Sequence, residues 1–126
     1  MNDLPPLELA HPRTELRRQL VGAVLRGEKT ATAGLLEEYE AEGEQPDVAG
    51  SRCLLLGYDE EPVAIVEVTE SNVVPAGEID QTFARDEGEG FESVEEWRVA
   101  HERFFGRRLE PETQIVAVRF RVLERL

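Results

Sequence analysis

The stretch 114–122 constrains this fold more than any other part of the chain. Val116, Val118, Phe120 and Val122 fall on one side of an extended backbone, with Arg119 and Arg121 on the other. Strand side chains alternate with a period of two, so this set is buried only if the strand lies in a sheet with one face against a core. It reads as a half-buried strand that closes the sheet. Residues 52–58 and 62–69 flank Asp59-Glu60-Glu61 and read as an antiparallel hairpin. In its second arm Val63, Ile65 and Glu67 alternate with Ala64, Val66 and Val68, and residues 71–74 read as a further short strand ending at Pro75-Ala76-Gly77.

The helical signals lie elsewhere. Over residues 14–26, Leu16, Leu20, Val21, Val24 and Leu25 recur at three- and four-residue spacing, with Thr14 placed as N-cap and Gly27 just past the end. A shorter helix is expected from residue 34 or 35 to 42, ending at Gly43, and another over 78–85. The strongest helix runs over 93–105, opened by the capping-box spacing of Ser93 and Glu96 and closed by Gly106. Helices segregated from mostly antiparallel strands predict an α+β domain, a small barrel or curled sheet. At 126 residues the chain is expected to form a single domain over 1–126.

Charge narrows the function. With 27 acidic against 14 basic residues, the net charge of −13 argues against non-specific binding of long nucleic acid and favours a small ligand, or one nucleotide at a time. Cys53 is the only cysteine and lies in an apolar run, so a buried, inert thiol is expected. No run approaches the roughly 18 apolar residues of a membrane span, and the first six residues lack an export signal, so a cytoplasmic protein without membrane association is expected. Phosphate-loop, dinucleotide and Cys/His metal motifs are absent, and neither a metal nor a cofactor is expected.

Three segments carry candidate chemistry. The chain has one lysine among its 14 basic residues, Lys29, in Gly27-Glu28-Lys29-Thr30-Ala31-Thr32. Lysine, unlike arginine, can lose its proton and act as a base. In an extended segment Thr30 and Thr32 face away from Lys29; in a tight turn Lys29 and Thr32 meet as base and nucleophile, or Lys29 simply caps helix carbonyls. Glu87 and Glu89 flank Gly88 in a segment that cannot be regular helix, and either carboxylate suits orientation of Lys29 or general-acid work. Trp97, His101 and Phe105 form one stripe on the capped helix. Phe104 and Phe105 are expected in the core, whereas Trp97, with Arg98 or His101, is either core or a stacking wall for a base.

Together Gly27-Glu28-Lys29-Thr30-Ala31-Thr32, Glu87-Gly88-Glu89-Gly90 and the run from Glu96 through Trp97, Arg98 and His101 to Phe105 resemble the activating-signal-cointegrator homology (ASCH) family. The resemblance covers a core of about 12–122 and implies a small PUA-like β-barrel with flanking helices. It implies a nucleoside, nucleotide or short RNA ligand in a cleft beside the Gly-x-Lys-x-x-Thr segment. Bacterial relatives include amidohydrolases of N4-acetylcytidine, and another relative is described as a ribonuclease. By motif the amidohydrolase residues fall on Lys29, Thr32 and Glu89, with Glu87 as the alternative carboxylate. Thr30, Glu87, Trp97, Arg98 and His101 are the implied ligand-binding residues. An amidohydrolase of an N-acylated nucleoside is therefore expected, with a non-catalytic binding module or a metal-dependent ribonuclease as alternatives. The chain departs from the amidohydrolases at Ala33-Gly34, where they carry an arginine, and in its added acidic segment 35–44.

Overall fold

The computed structural model describes residues 4–126; of the residues expected to lack an export signal, Met1, Asn2 and Asp3 lie outside this range. Five strands form one sheet: β1 (Pro6–Leu7), β2 (Ala31–Leu35), β3 (Arg52–Leu56), β4 (Pro62–Pro75) and β5 (Gln114–Arg125), in the order β1-β3-β4-β5-β2. All neighbours are antiparallel except β1 with β3. Four helices flank it: α1 (Glu15–Leu25), α2 (Leu36–Ala41), α3 (Gln81–Asp86) and α4 (Val94–Phe105). This is the mostly antiparallel, PUA-like α+β architecture expected. No helix among the described residues is long and apolar enough to cross a membrane.

The 114–122 pattern does place Val116, Val118 and Phe120 in a core, packed with Val21 and Val24 of α1 and with Val66 and Val68 of β4. It does not form the closing strand. β5 lies between β4 and β2, and its other face is also covered: Ile115 packs with Phe83 of α3 and Trp97 of α4, and Ala117 joins this second cluster. Arg119 follows the same face, its guanidinium 5.3 Å from the centre of the Phe83 ring and 2.6 Å from Asp86. A small residue at 117 and a long cationic one at 119 mask the apolarity of that face in the sequence.

Three further boundaries differ from expectation. Residues 62–75 form one long strand rather than two, kinked by irregularities in its pairing with β5 near Val66 and Glu70. The start of the second expected helix is instead β2, which takes Thr32, Ala33 and Gly34 into the ladder with Val118, Ala117 and Val116. The two-residue β1 is too short to leave a periodic signal and draws its identity from its partner Leu54-Leu55. The helix caps do appear as read: Thr14 accepts from Arg17 N–H, Ser93 from Glu96 N–H, and Gly106 takes the left-handed conformation after α4. Cys53 is buried, and burial first, with Asp47 second, raises its thiol to about 11, as suits an inert core residue.

Because each cap satisfies an N–H that the helix itself cannot, Thr14→Ala and Ser93→Ala are each expected to lower unfolding stability by about 1 kcal/mol. In chemical denaturation their effects should add in the double variant, since they serve separate helices. A cost near zero at both sites would refute the capping account.

Candidate functional site

Lys29 emerges where α1 ends. The amides of Glu28 and Lys29 both donate to Ala23 O, folding the chain off the helix and into β2. The next anchor is Asp86 at the end of α3, whose carbonyl accepts from Thr30 N–H at 2.8 Å while its carboxylate holds Arg119. Helix α3 is thereby pinned against the start of β2. Gly88 is pressed onto Glu28 and Lys29 so closely that a Cβ there would sit 2.4 Å from Glu28 O and 2.6 Å from Lys29 Cα; its φ of +69° is also one that glycine accommodates. This contact sets both glutamates beside the lysine.

The Lys29 ammonium is buried and meets three oxygens: Glu87 O at 3.2 Å, Glu89 Oε2 at 3.3 Å and Glu87 Oε1 at 3.5 Å. The two carboxylates differ in surroundings. Glu87 is 1 % exposed, and its carboxylate also accepts from Trp97 Nε1 and lies 3.3 Å from His101 Nε2. The side chain of Glu89 is 25 % exposed and has the ammonium as its partner. The ring of His101 stacks on Trp97 at 4.3 Å, and its Nδ1 lies 2.8 Å from Trp97 O. A carbonyl and an ionised carboxylate can only accept, so a ring placed between them is favoured with protons on both nitrogens.

The protonation tendencies agree. Burial opposes charge on Glu87, but the His101 hydrogen bond and the Lys29 charge outweigh it and hold its carboxyl below the ordinary value. Burial, reinforced by the charge of Glu87, pushes Glu89 up despite Lys29. Burial opposes charge on His101 too, but its hydrogen bond and charge interaction with Glu87 raise it.

These groups form the polar part of a cleft of about 360 Å³, to which Lys29, Thr32, Glu87, Glu89 and His101 all contribute. Its walls are apolar: Leu16 and Leu20 from α1, Ala100 and Phe104 from α4. The chain just past β1 (Glu8, Leu9, Ala10) and Ala33 of β2 border it as well. One outermost strand, β2, and the segment that follows the other, β1, thus border one cavity. Since Phe120 N–H donates to Thr30 O, even-numbered residues of β2 turn their backbone groups to β5, and those of Ala31 and Ala33 turn to the free edge.

Of the residues singled out in the sequence, Lys29, Thr32, Glu87, Glu89 and His101 come together. Three others do not line the cleft. Thr30 turns its hydroxyl to Asp86 O, and Trp97 is fully buried with its ring edge spent on Glu87, leaving no face for a base. Arg98 lies on the surface of α4 between Glu95 and Glu102. Phe104, expected in the core, is 52 % exposed at the mouth. Leu16 and Leu20 were legible only as helix stripe residues, and Ala100 and Glu8 to Ala10 carried no signal of a site. Among the described residues no group of three or more His, Cys, Asp or Glu side chains is placed to hold a metal ion.

The chain matches the ASCH domain family over residues 9–124. It belongs to that family. Its fold is similar to that of protein EF3133 from Enterococcus faecalis V583, with a TM-score of 0.86 and 26 % identity over 99 % of this chain and 79 % of that one. It is similarly close to the ASCH domain from Lactobacillus crispatus JV V101, with a TM-score of 0.81 and 25 % identity over 95 % of this chain and 79 % of that one. No functionally curated protein matches the sequence.

Two stability predictions follow from the packing and charge of this ASCH site. Gly88→Ala meets backbone and a left-handed φ together and is expected to cost about 2–5 kcal/mol; Gly90→Ala, with a φ of +85° but open space around it, about 1–2 kcal/mol. Equal costs in denaturant titration would remove the close-contact argument. For the Glu87–His101 pair the signs are fixed. A lowered Glu87 contributes stability above its ordinary 4.5 and loses it as pH falls through the lowered value; a raised His101 contributes below its ordinary 6.5 and loses it as pH rises through the raised value. Raised Glu89 acts with the opposite sign to Glu87, so the histidine is isolated by comparison with His101→Gln. The stability difference between wild type and His101→Gln should be greatest below pH 6.5 and shrink on the alkaline side; a difference that is flat to pH 9 would show that the fold does not raise the histidine.

Proposed function

We propose that the cleft binds an N-acylated nucleoside of the N4-acetylcytidine type and hydrolyses its amide. The observation that supports this most directly is the convergence of Lys29, Thr32 and Glu89 on one cavity, with the lysine ammonium 3.3 Å from the Glu89 carboxylate. The cavity has the size of a single small ligand rather than of an oligomer, and its apolar walls suit a flat ring while the polar groups suit an amide.

In this reading Lys29 passes a proton to the Glu89 carboxylate, and the resulting amine takes the Thr32 hydroxyl proton as the oxygen attacks the acyl carbon. A Glu89 raised by burial is suited to both receiving that proton and giving it to the departing amine. The C–N bond breaks, the amine leaves protonated by Glu89, and an acyl ester remains on Thr32. Water then adds to the ester, its proton taken by Glu89; the ester C–O bond breaks as Lys29 returns a proton to the Thr32 oxygen, the carboxylic acid leaves, and Lys29 recovers its proton from Glu89. The free-edge N–H of Ala33, next to the nucleophile and at the cleft, is the backbone donor we assign to the oxyanion.

Purified protein given N4-acetylcytidine should release acetate. Lys29→Arg keeps the charge but not the base, and Thr32→Ala removes the nucleophile. Both are expected to lower kcat by about 10²–10⁴-fold, with Thr32→Ser retaining part of it. Full turnover by Lys29→Arg would eliminate the lysine as base. Saturable binding of the nucleoside with no acetate release would instead make the cleft a binding module.

A further inference from the structure

We infer that Glu87 is a positioning residue, a fixed anion clamped by Trp97 and His101 that holds the Lys29 amine at its working point, so that Glu89 alone carries protons. The inference rests on the amide-hydrolysis reading for its catalytic consequence, but not for its geometry.

The two glutamates touch the same ammonium and are otherwise held differently. Glu87 uses its main-chain carbonyl and one carboxylate oxygen on Lys29, the other carboxylate oxygen on the indole N–H, and shares the first with His101. Each of its partners is itself immobile: Trp97 is 0 % exposed, and His101 is stacked on Trp97, flanked by Phe91 and Phe105 at 5.8 Å, and bonded to Trp97 O. Indole N–H is a donor that never titrates in water, so it favours the ionised carboxylate at every working pH. A carboxylate whose two oxygens are met by an indole N–H, a histidine ring and an ammonium has no room to take up a proton. Its side chain, 1 % exposed, is also far less open to the cleft than that of Glu89, at 25 %. Glu89 has the opposite endowment: one protein partner, partial access to the cleft, and the negative charge of Glu87 nearby.

The groups in contact with the Lys29 ammonium are Glu87 and Glu89 after α3; His101 of α4 meets Glu87, and Thr32 of β2, Glu8 and Arg103 line the same cleft. Only Glu87 ties the amine to α4. Loss of that tie would leave the lysine near the site but displaced, and a displacement on the order of 1 Å can cost about 10²-fold in rate without weakening ligand binding.

The experiment uses the single lysine in the chain. With ¹⁵N-lysine labelling, the Lys29 Nζ is the only lysine side-chain nitrogen signal, so its shift and hydrogen exchange report the position of this amine with or without turnover. Three variants are compared with wild type: Glu87→Gln, Trp97→Phe, which removes the indole donor and keeps a ring in the space, and Glu89→Gln. Glu87→Gln is expected to move the Nζ signal, speed its hydrogen exchange at least about tenfold, and lower kcat for N4-acetylcytidine about 10²-fold with KM within about threefold of wild type. Trp97→Phe should move both in the same direction by less. Glu89→Gln should abolish turnover while leaving the Nζ exchange nearer to wild type. Should Glu87→Gln fold poorly, Trp97→Phe carries the same test. A folded Glu87→Gln with unchanged kcat and an unmoved Nζ signal overturns the inference. Absence of acetate release by wild type would defeat the amide-hydrolysis reading alone; the Nζ signal would then decide whether Glu87 positions the lysine, and an unmoved signal in both Glu87→Gln and Trp97→Phe would overturn that as well.

Discussion

A buried ammonium must be met by oxygens, and in this chain that requirement organises everything around it. Lys29 sits in the interior with three acceptors from one short segment, residues 87–89. An uncompensated charge at that depth would cost several kcal/mol. The segment is therefore bound to its place, and what binds it is a chain of ordinary contacts: Arg119 to Asp86, Asp86 O to Thr30 N–H, and Gly88 against the backbone of Glu28 and Lys29. The sheet contributes the first link, α3 the second, and the close glycine contact the last. The candidate site is thus built by the same interactions that join the two hydrophobic clusters on either face of β5.

That construction explains which parts were legible in the sequence. Helices α1 and α4 announce themselves through caps and period, and the β3–β4 hairpin through alternation broken by Asp59-Glu60-Glu61. The ASCH motif brought Lys29, Thr32, Glu87, Glu89 and His101 into view together. What stayed hidden was whatever depends on a partner distant in the chain. β1 exists because Leu54-Leu55 offers it an edge, and β2 because Val116 to Val118 does; neither carries a pattern of its own. The role of Trp97 was hidden for a related reason. An aromatic residue beside a proposed base-binding cleft has two readings, and only the direction of its N–H, inward to Glu87, separates them.

The net charge of −13 takes on a narrower meaning beside this geometry. Within the cleft, Lys29 and His101 oppose Glu87 and Glu89, and Glu8 is tied to the buried Arg17. The acidity of the chain lies largely outside the cavity, on surfaces such as α2 and the loop around Asp59. A ligand entering the cleft meets near-balanced charge between apolar walls, whereas an extended polyanion would first meet the acidic exterior. Surface charge and cavity charge here answer different questions, and only the second bears on what the site holds.

The lone lysine is best understood through the inequality of its two neighbours. Chemically Glu87 and Glu89 are the same group, two residues apart, touching the same nitrogen. Burial acts on both in the same direction. The difference comes from what each touches in return: an indole, a histidine ring and an ammonium for Glu87, the ammonium for Glu89. On the proposed reading, environment separates one residue type into a permanent anion and a proton carrier, the arrangement by which a site runs acid and base steps at one pH. Arginine in place of Lys29 would satisfy the permanent anion equally well. It would leave the proton carrier with nothing to exchange, because guanidinium does not release its proton. On the proposed reading, the second carboxylate is what makes lysine, rather than arginine, the fitting residue at this point.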